Sequence, residues 1–118
     1  MTGMSKVATK PIFKEVEYLR SLGLPEAEIA TGAAAGKSTV RAWTAGTREP
    51  TGERRTRLIE LVAMAERLER VIEPDYIAIW LSKPVPALED RKPVDLIGRG
   101  DYLRVARVIS GLEGQIAA

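Results

Sequence analysis

The chain has 118 residues, 45% of them hydrophobic and 29% charged, the profile of one ordinary globular domain or two very small ones, and too little for a dinucleotide-binding enzyme or a barrel. It has no Cys and no His, which excludes disulfides, thiolate or imidazole metal sites and any His-dependent triad. The net charge of +2 divides into +4 over residues 1–58 and −2 over 59–118, so the first half suits an anionic polymer and the second a different task. No apolar run approaches the ~18 residues of a membrane span, and the N-terminus lacks the apolar centre of a signal peptide, so the expected location is cytoplasmic.

Residues 1–11 are polar, aperiodic and end at Pro11; they read as a flexible arm. Ile12, Phe13, Val16, Leu19 and Leu22 then recur at helical spacing up to Gly23. Pro25 suits the start of a second helix carrying Ile29 and Ala30, followed by a break from Gly32 to Gly36. A third helix is expected over Lys37–Ala45, stopped by Gly46, with a loop at Arg48–Pro50. The longest periodic segment runs from Glu53 to Ile72, its stripe being Leu58, Leu61, Val62, Ala65, Leu68 and Ile72, with Glu66 and Arg70 as an i,i+4 pair. A shorter helix is expected over Asp75–Leu81, an irregular connection over Ser82–Pro93, one turn over Pro93–Ile97, and a last helix from an Asp101 cap to about Leu112. No segment alternates long enough to make a strand, so the chain reads as all-α. With only six aromatic residues, its core must be mostly aliphatic.

Ala30, Ala34, Val40 and Trp43 supply in order what a helix–turn–helix demands: small residues where two helices cross, an apolar residue within the second, and a bulky anchor near its end. Val40 and Trp43, three apart, face the core, and Lys37, Ser38, Arg41 and Ala42 face away. Short and basic side chains there suit a helix that enters the major groove. Residues 12–50 resemble the helix–turn–helix of Xre/Cro-class bacterial repressors, including the Trp43-x-x-Gly46 ending and Pro50, with Ala34 where that turn commonly has Gly. Lys37, Ser38, Thr39, Arg41, Ala42 and Arg48 are the candidate DNA contacts. Gly32–Ser38 also imitates a phosphate-binding loop, but it is one residue short and follows a helix where a strand is needed.

The run from Trp80 to Val105 resembles the C-terminal domain of the Xre–MbcA–ParS antitoxins, on Trp80, Leu81, Pro84, Ala87, Leu88, Pro93, Asp95, Leu96, Gly100, Tyr102 and Val105. Val85 and the Glu89-Asp90 pair depart from that family's usual Asn and Gly pair. The resemblance implies a helix–turn–helix over 12–50, a connecting helix over 51–73 and a toxin-binding domain over 74–118. It implies a type II antitoxin that binds operator DNA and neutralises a toxin of the RES-domain class, whose substrate is NAD. Trp80, Leu88, Arg91, Lys92, Arg104, Arg107, Gln115 and Ile116 are the candidate toxin contacts, with residues 113–118 as a pliant tail jointed at Gly111 and Gly114, lying at the toxin's substrate entrance. The resemblance implies no catalytic residue, metal or cofactor in this chain.

From the residues alone, the apolar side chains of the last helix sweep roughly 220° of its surface, an excess that suits burial on both sides or an interface. The arc between helices 53–72 and 101–112 is the candidate contact of a homodimer, or of a larger complex with toxin. A stand-alone, dimeric Xre-type transcriptional regulator is the alternative, and an enzyme using Gly36-Lys37-Ser38 is a third. The carboxylates Glu89, Asp90 and Asp95 read as solvated loop charges rather than acid catalysts.

Overall fold

The computed structural model describes residues 11–117, with side chains from Lys14 to Ile116, so the expected arm lies outside the described residues except for Pro11. Helix α1 (Pro11–Ser21) is followed by α2 (Glu26–Ala33) and α3 (Lys37–Ala45). All three end alike. One residue turns left-handed, its N–H bonds the carbonyl three residues back, and the next N–H reaches five residues back. The turning residues are Gly23, Ala34 and Gly46. Ala34, at φ 57° and ψ 43°, is the one of the three that holds a Cβ in this strained region. Ala34→Gly should therefore raise the stability of the full chain by about 0.5–1 kcal/mol, read as a higher denaturation midpoint. The break expected from Gly32 is shorter than the spacing suggested: Gly32 and Ala33 remain helical, and Gly32 lies against the Leu61 side chain.

Helix α4 spans Gly52–Leu68 and buries Leu58, Leu61, Val62, Met64, Ala65 and Leu68 along one side. It ends four residues short of Ile72, because the chain tightens into i→i+3 turns at Arg70 and Val71 before Pro74 opens the next helix. Arg70 thus lies outside the helix, and no Glu66–Arg70 pair is seen among the described residues. Helix α5 (Pro74–Ser82) leads to a 3₁₀ turn at Pro86–Leu88, then α6 (Pro93–Gly98) and α7 (Tyr102–Ala117). Between the 3₁₀ turn and α6, Glu89 and Asp90 both take positive φ (59° and 63°), the conformation a Gly pair would suit, and a Val85–Arg91 bridge closes the loop.

The last helix does not stop at Leu112. Arg67 of α4 donates twice to the Glu113 carboxylate, at 3.1 and 2.7 Å, and once to the Ser110 hydroxyl at 2.9 Å. This bidentate clamp fixes the chain where Gly111 and Gly114 alone would favour fraying, so the expected pliant tail is helix as far as Ala117, the last described residue. The hydrogen bonds from Arg67 also hold the Glu113 carboxyl below its usual pKa.

One core cluster runs from Val16 in α1 to Ile109 in α7, and among the described residues no polar or charged side chain is buried in it. Among the described residues Trp43 is its one aromatic member, the rest being aliphatic apart from the Met64 thioether. Helix α2 packs on α3 and also on α4 and α6; α6 in turn packs on α4, α5 and α7. The N-terminal and C-terminal halves therefore share a centre. Helices α4 and α7, expected to offer an arc to a second copy, pack on each other instead. Val105 and Ile109 are buried and Ala106, Val108 and Leu112 partly so, leaving Leu103 and Ile116 as the large apolar side chains that α7 exposes.

Candidate functional site

Two surfaces stand out, one at each end of the sequence. On the first, Ile29, Ala30, Val40 and Trp43 draw α2 and α3 together, which turns Lys37, Ser38 and Arg41 outward. Thr39 and Ala42 are half-buried at the flanks of that face, and Arg48 is exposed in the loop beyond α3. The phosphate-loop imitation from Gly32 to Ser38 is the end of α2, a turn and the start of α3.

Glu26, at the start of α2, joins two cations of this surface. Its Oε1 accepts from Arg41 Nε at 3.2 Å and its Oε2 from Arg20 Nη1 at 3.5 Å. The Glu26 side chain is 21% exposed and that of Arg41 61% exposed, so the carboxylate sits low and the guanidinium stands above it. Arg54 of α4 donates from Nε to the Ala34 carbonyl at 3.4 Å, adding a cation beside the turn. Sequence reasoning missed both Glu26 and Arg54; the signal for Arg54 was the basic run Arg54-Arg55 just before the apolar stripe. Between α1 and the end of α4, the Tyr18 hydroxyl donates to Glu69 at 2.9 Å, and burial together with that bond raises its pKa. Burial and the neighbouring Glu66 carboxylate raise that of Glu15, while Arg55 opposes them.

The second surface belongs to α5, α7 and the loop between α5 and α6. Of the expected contacts, Leu88 is 1% exposed: the 3₁₀ turn folds it into the core, so it supports this surface from beneath and is no contact itself. Trp80 is half-buried and packed against the core. Arg91 and Lys92 line an open depression of about 450 Å³ together with Arg99, Asp90 and Asp95. Arg104 is tied to Asp101 at 3.5 Å and to Glu89 at 3.4 Å, which leaves Arg107 as the freer of the two cations on α7. Gln115 and Ile116 are exposed on the last turn. Tyr76 and Ile79, which the sequence reading passed over, and Leu103, part of the wide apolar arc expected on the last helix, are all more than half exposed. The signal for the first two was the nearly unbroken apolar stretch Tyr76–Leu81, too apolar for a helix covered on one side only.

Among the described residues no cluster of acidic side chains could hold a metal ion, and no helix is long and apolar enough to cross a membrane.

No protein-family model matches the sequence. The chain is 36% identical over 94 residues to the mycobacterial cidal antitoxin MbcA of Mycobacterium tuberculosis, a match that covers 80% of this chain and 83% of that protein. The same figures hold for the MbcA antitoxin of Mycobacterium bovis. In structure it matches a chain of the crystallised M. tuberculosis MbcT–MbcA toxin–antitoxin complex with a TM-score of 0.74 at 35% identity, covering 88% of this chain and 96% of that one. The similarity spans most of the chain, which belongs to the MbcA family of antitoxins.

Proposed function

We propose that this protein is the antitoxin of a toxin–antitoxin pair, that it binds and neutralises a RES-domain toxin that degrades NAD, and that it represses its own operon through the α2–turn–α3 unit. The observation that carries this reading is the extent of its likeness to MbcA, 36% identity over 80% of this chain, beside the outward basic face of α3. In this reading Lys37, Ser38, Arg41 and Arg48 meet operator DNA, with Thr39 and Ala42 at the edge of the contact. Trp80, Arg91, Lys92, Arg104, Arg107, Gln115 and Ile116 meet the toxin, with Leu88 holding the loop beneath them. The chain itself is no enzyme and holds no cofactor. A short recognition helix covers few base pairs, so operator binding calls for two copies reading half-sites about one DNA turn apart, ~34 Å.

Because the halves share one core, the test uses the full chain. Co-expressed with the product of the adjacent gene, the chain should co-purify as a complex and preserve cellular NAD. A chain that neither co-purifies nor protects would overturn the antitoxin reading. Binding to the upstream DNA without any protection would favour a stand-alone dimeric regulator, the reading that the exposed basic face of α3 would support by itself. For the DNA surface, the Lys37→Ala/Arg41→Ala double variant should lose operator affinity and flatten its salt dependence while still binding toxin. Unchanged operator affinity would remove α3 from the groove.

A further inference from the structure

Arg41 stands in the middle of the outward face of α3, and its guanidinium has three nitrogens that can donate. One of them, Nε, is taken by Glu26 Oε1 at 3.2 Å. Among the described residues no acceptor is bonded to the other two, Nη1 and Nη2. A guanidinium held at Nε still offers the edge formed by its two Nη groups, a fork that matches the O6 and N7 acceptors of guanine. The carboxylate is itself steadied by Arg20, bonded to its other oxygen at 3.5 Å.

Stability does not account for this arrangement, since ion pairs as open as Arg41–Glu26 contribute little to folding. Repulsion between Glu26 and nearby DNA phosphates is offset locally, because two arginines flank one carboxylate and the group of three keeps a net positive charge. The other cations of the surface differ. Lys37 is a flexible point charge, Arg48 lies beyond the helix in a loop, and Arg54 stands on α4 beside the turn, off the face of α3.

We infer that Arg41 is the specificity-determining residue of the DNA surface, a bidentate reader of a guanine in each half-site, and that Glu26 is the positioning residue that aims it. The inference rests on the DNA-binding reading given above and adds to it which residue reads sequence and which base it reads. Lys37, Arg48 and Arg54 then supply charge to the phosphates without selecting among bases.

The test is selection of the full-length protein on a randomised double-stranded DNA library at fixed salt, followed by affinity measurements across a salt series. The wild type should enrich a motif with a guanine in each half-site and prefer it over the other bases by about 10- to 100-fold. Arg41→Lys, which keeps the charge and loses the fork, should abolish that preference at this position and leave the rest of the motif intact. Glu26→Gln should blunt the same preference while the salt slope stays at its wild-type value or steepens. Lys37→Ala should do the opposite, flattening the slope by about one and leaving the motif unchanged. A motif that keeps its guanine preference in both Arg41→Lys and Glu26→Gln overturns the inference while DNA binding itself stands. A wild-type protein that enriches no motif and binds without salt dependence overturns the DNA-binding reading beneath it. Circular dichroism of each variant, expected to match the wild type, separates these results from unfolding.

Discussion

Trp43→Ala is expected to destabilise the protein by about 3–5 kcal/mol, a large part of the 5–15 kcal/mol that typically separates folded from unfolded chains. Trp43 is 2% exposed at the C-terminal end of α3, where that helix packs on α1 and α2. Its removal opens a cavity at the meeting of three short helices, none of which is long enough to persist without tertiary contacts. The Trp43 carbonyl also accepts from Gly46 N–H at 3.1 Å, so the end of α3 frays once the ring no longer anchors it. Chemical denaturation read by circular dichroism measures the loss, and thermal denaturation should fall by on the order of 10 °C or more. A variant within about 1 kcal/mol of wild type would mean that the three helices do not depend on this anchor.

Gly98→Ala is the second large effect. Gly98 closes α6 where that helix crosses α2, and a Cβ added there would land on the Thr31 carbonyl oxygen. The obstacle is backbone, which cannot rotate aside as a side chain can, so α2 and α6 must separate. Forced separation of packed elements costs about 1–3 kcal/mol and often more when the main chain has to move. Thr31 also accepts from Ala34 N–H in the turn that leads into α3, so the displacement reaches α3 itself. Both operator affinity and toxin binding should fall along with stability. Gly111→Ala and Gly114→Ala provide the control. Nothing lies within 4 Å of a Cβ at either position, and both are helical, so these changes should be neutral or stabilise by about 0.5–1 kcal/mol. If Gly98→Ala behaves like the controls, the close approach of α2 and α6 is not what holds the halves together.

The elements of the first half were legible because local chemistry decides them. Val40, Trp43 and Gly46 place α3 at Lys37–Ala45, and that is where it lies. The end of α4 was not legible, because Ile72 continues the apolar phase of the stripe even though it packs from a turn rather than a helix. The end of α7 was hidden for the opposite reason. Its glycines read locally as a loose tail, and the arginine that overrides them is 46 residues away in the chain. Among the proposed site residues, the exposure of Lys37, Ser38 and Arg41 was legible because exposure follows helical phase. Leu88 was assigned to the surface by its place in a pattern, and a pattern does not distinguish a residue that touches a partner from one that holds a loop in shape. Glu26 escaped notice because its role depends on the crossing of α2 and α3, which spacing along either helix does not report.

The shared core bears on how long each activity lasts in a cell. A chain divided into two independent units can be clipped between them, leaving a repressor without an antidote or the reverse. Here α2 and α6 meet at the centre, so local opening of either exposes the other and the chain loses its fold as a whole. A protease that captures the opened chain would remove the outward face of α3 and the surface of α5 and α7 in the same event, giving both the same half-life. Under the proposed function, transcription of fresh antitoxin would rise at the moment existing toxin is released, with no interval in which one has happened without the other.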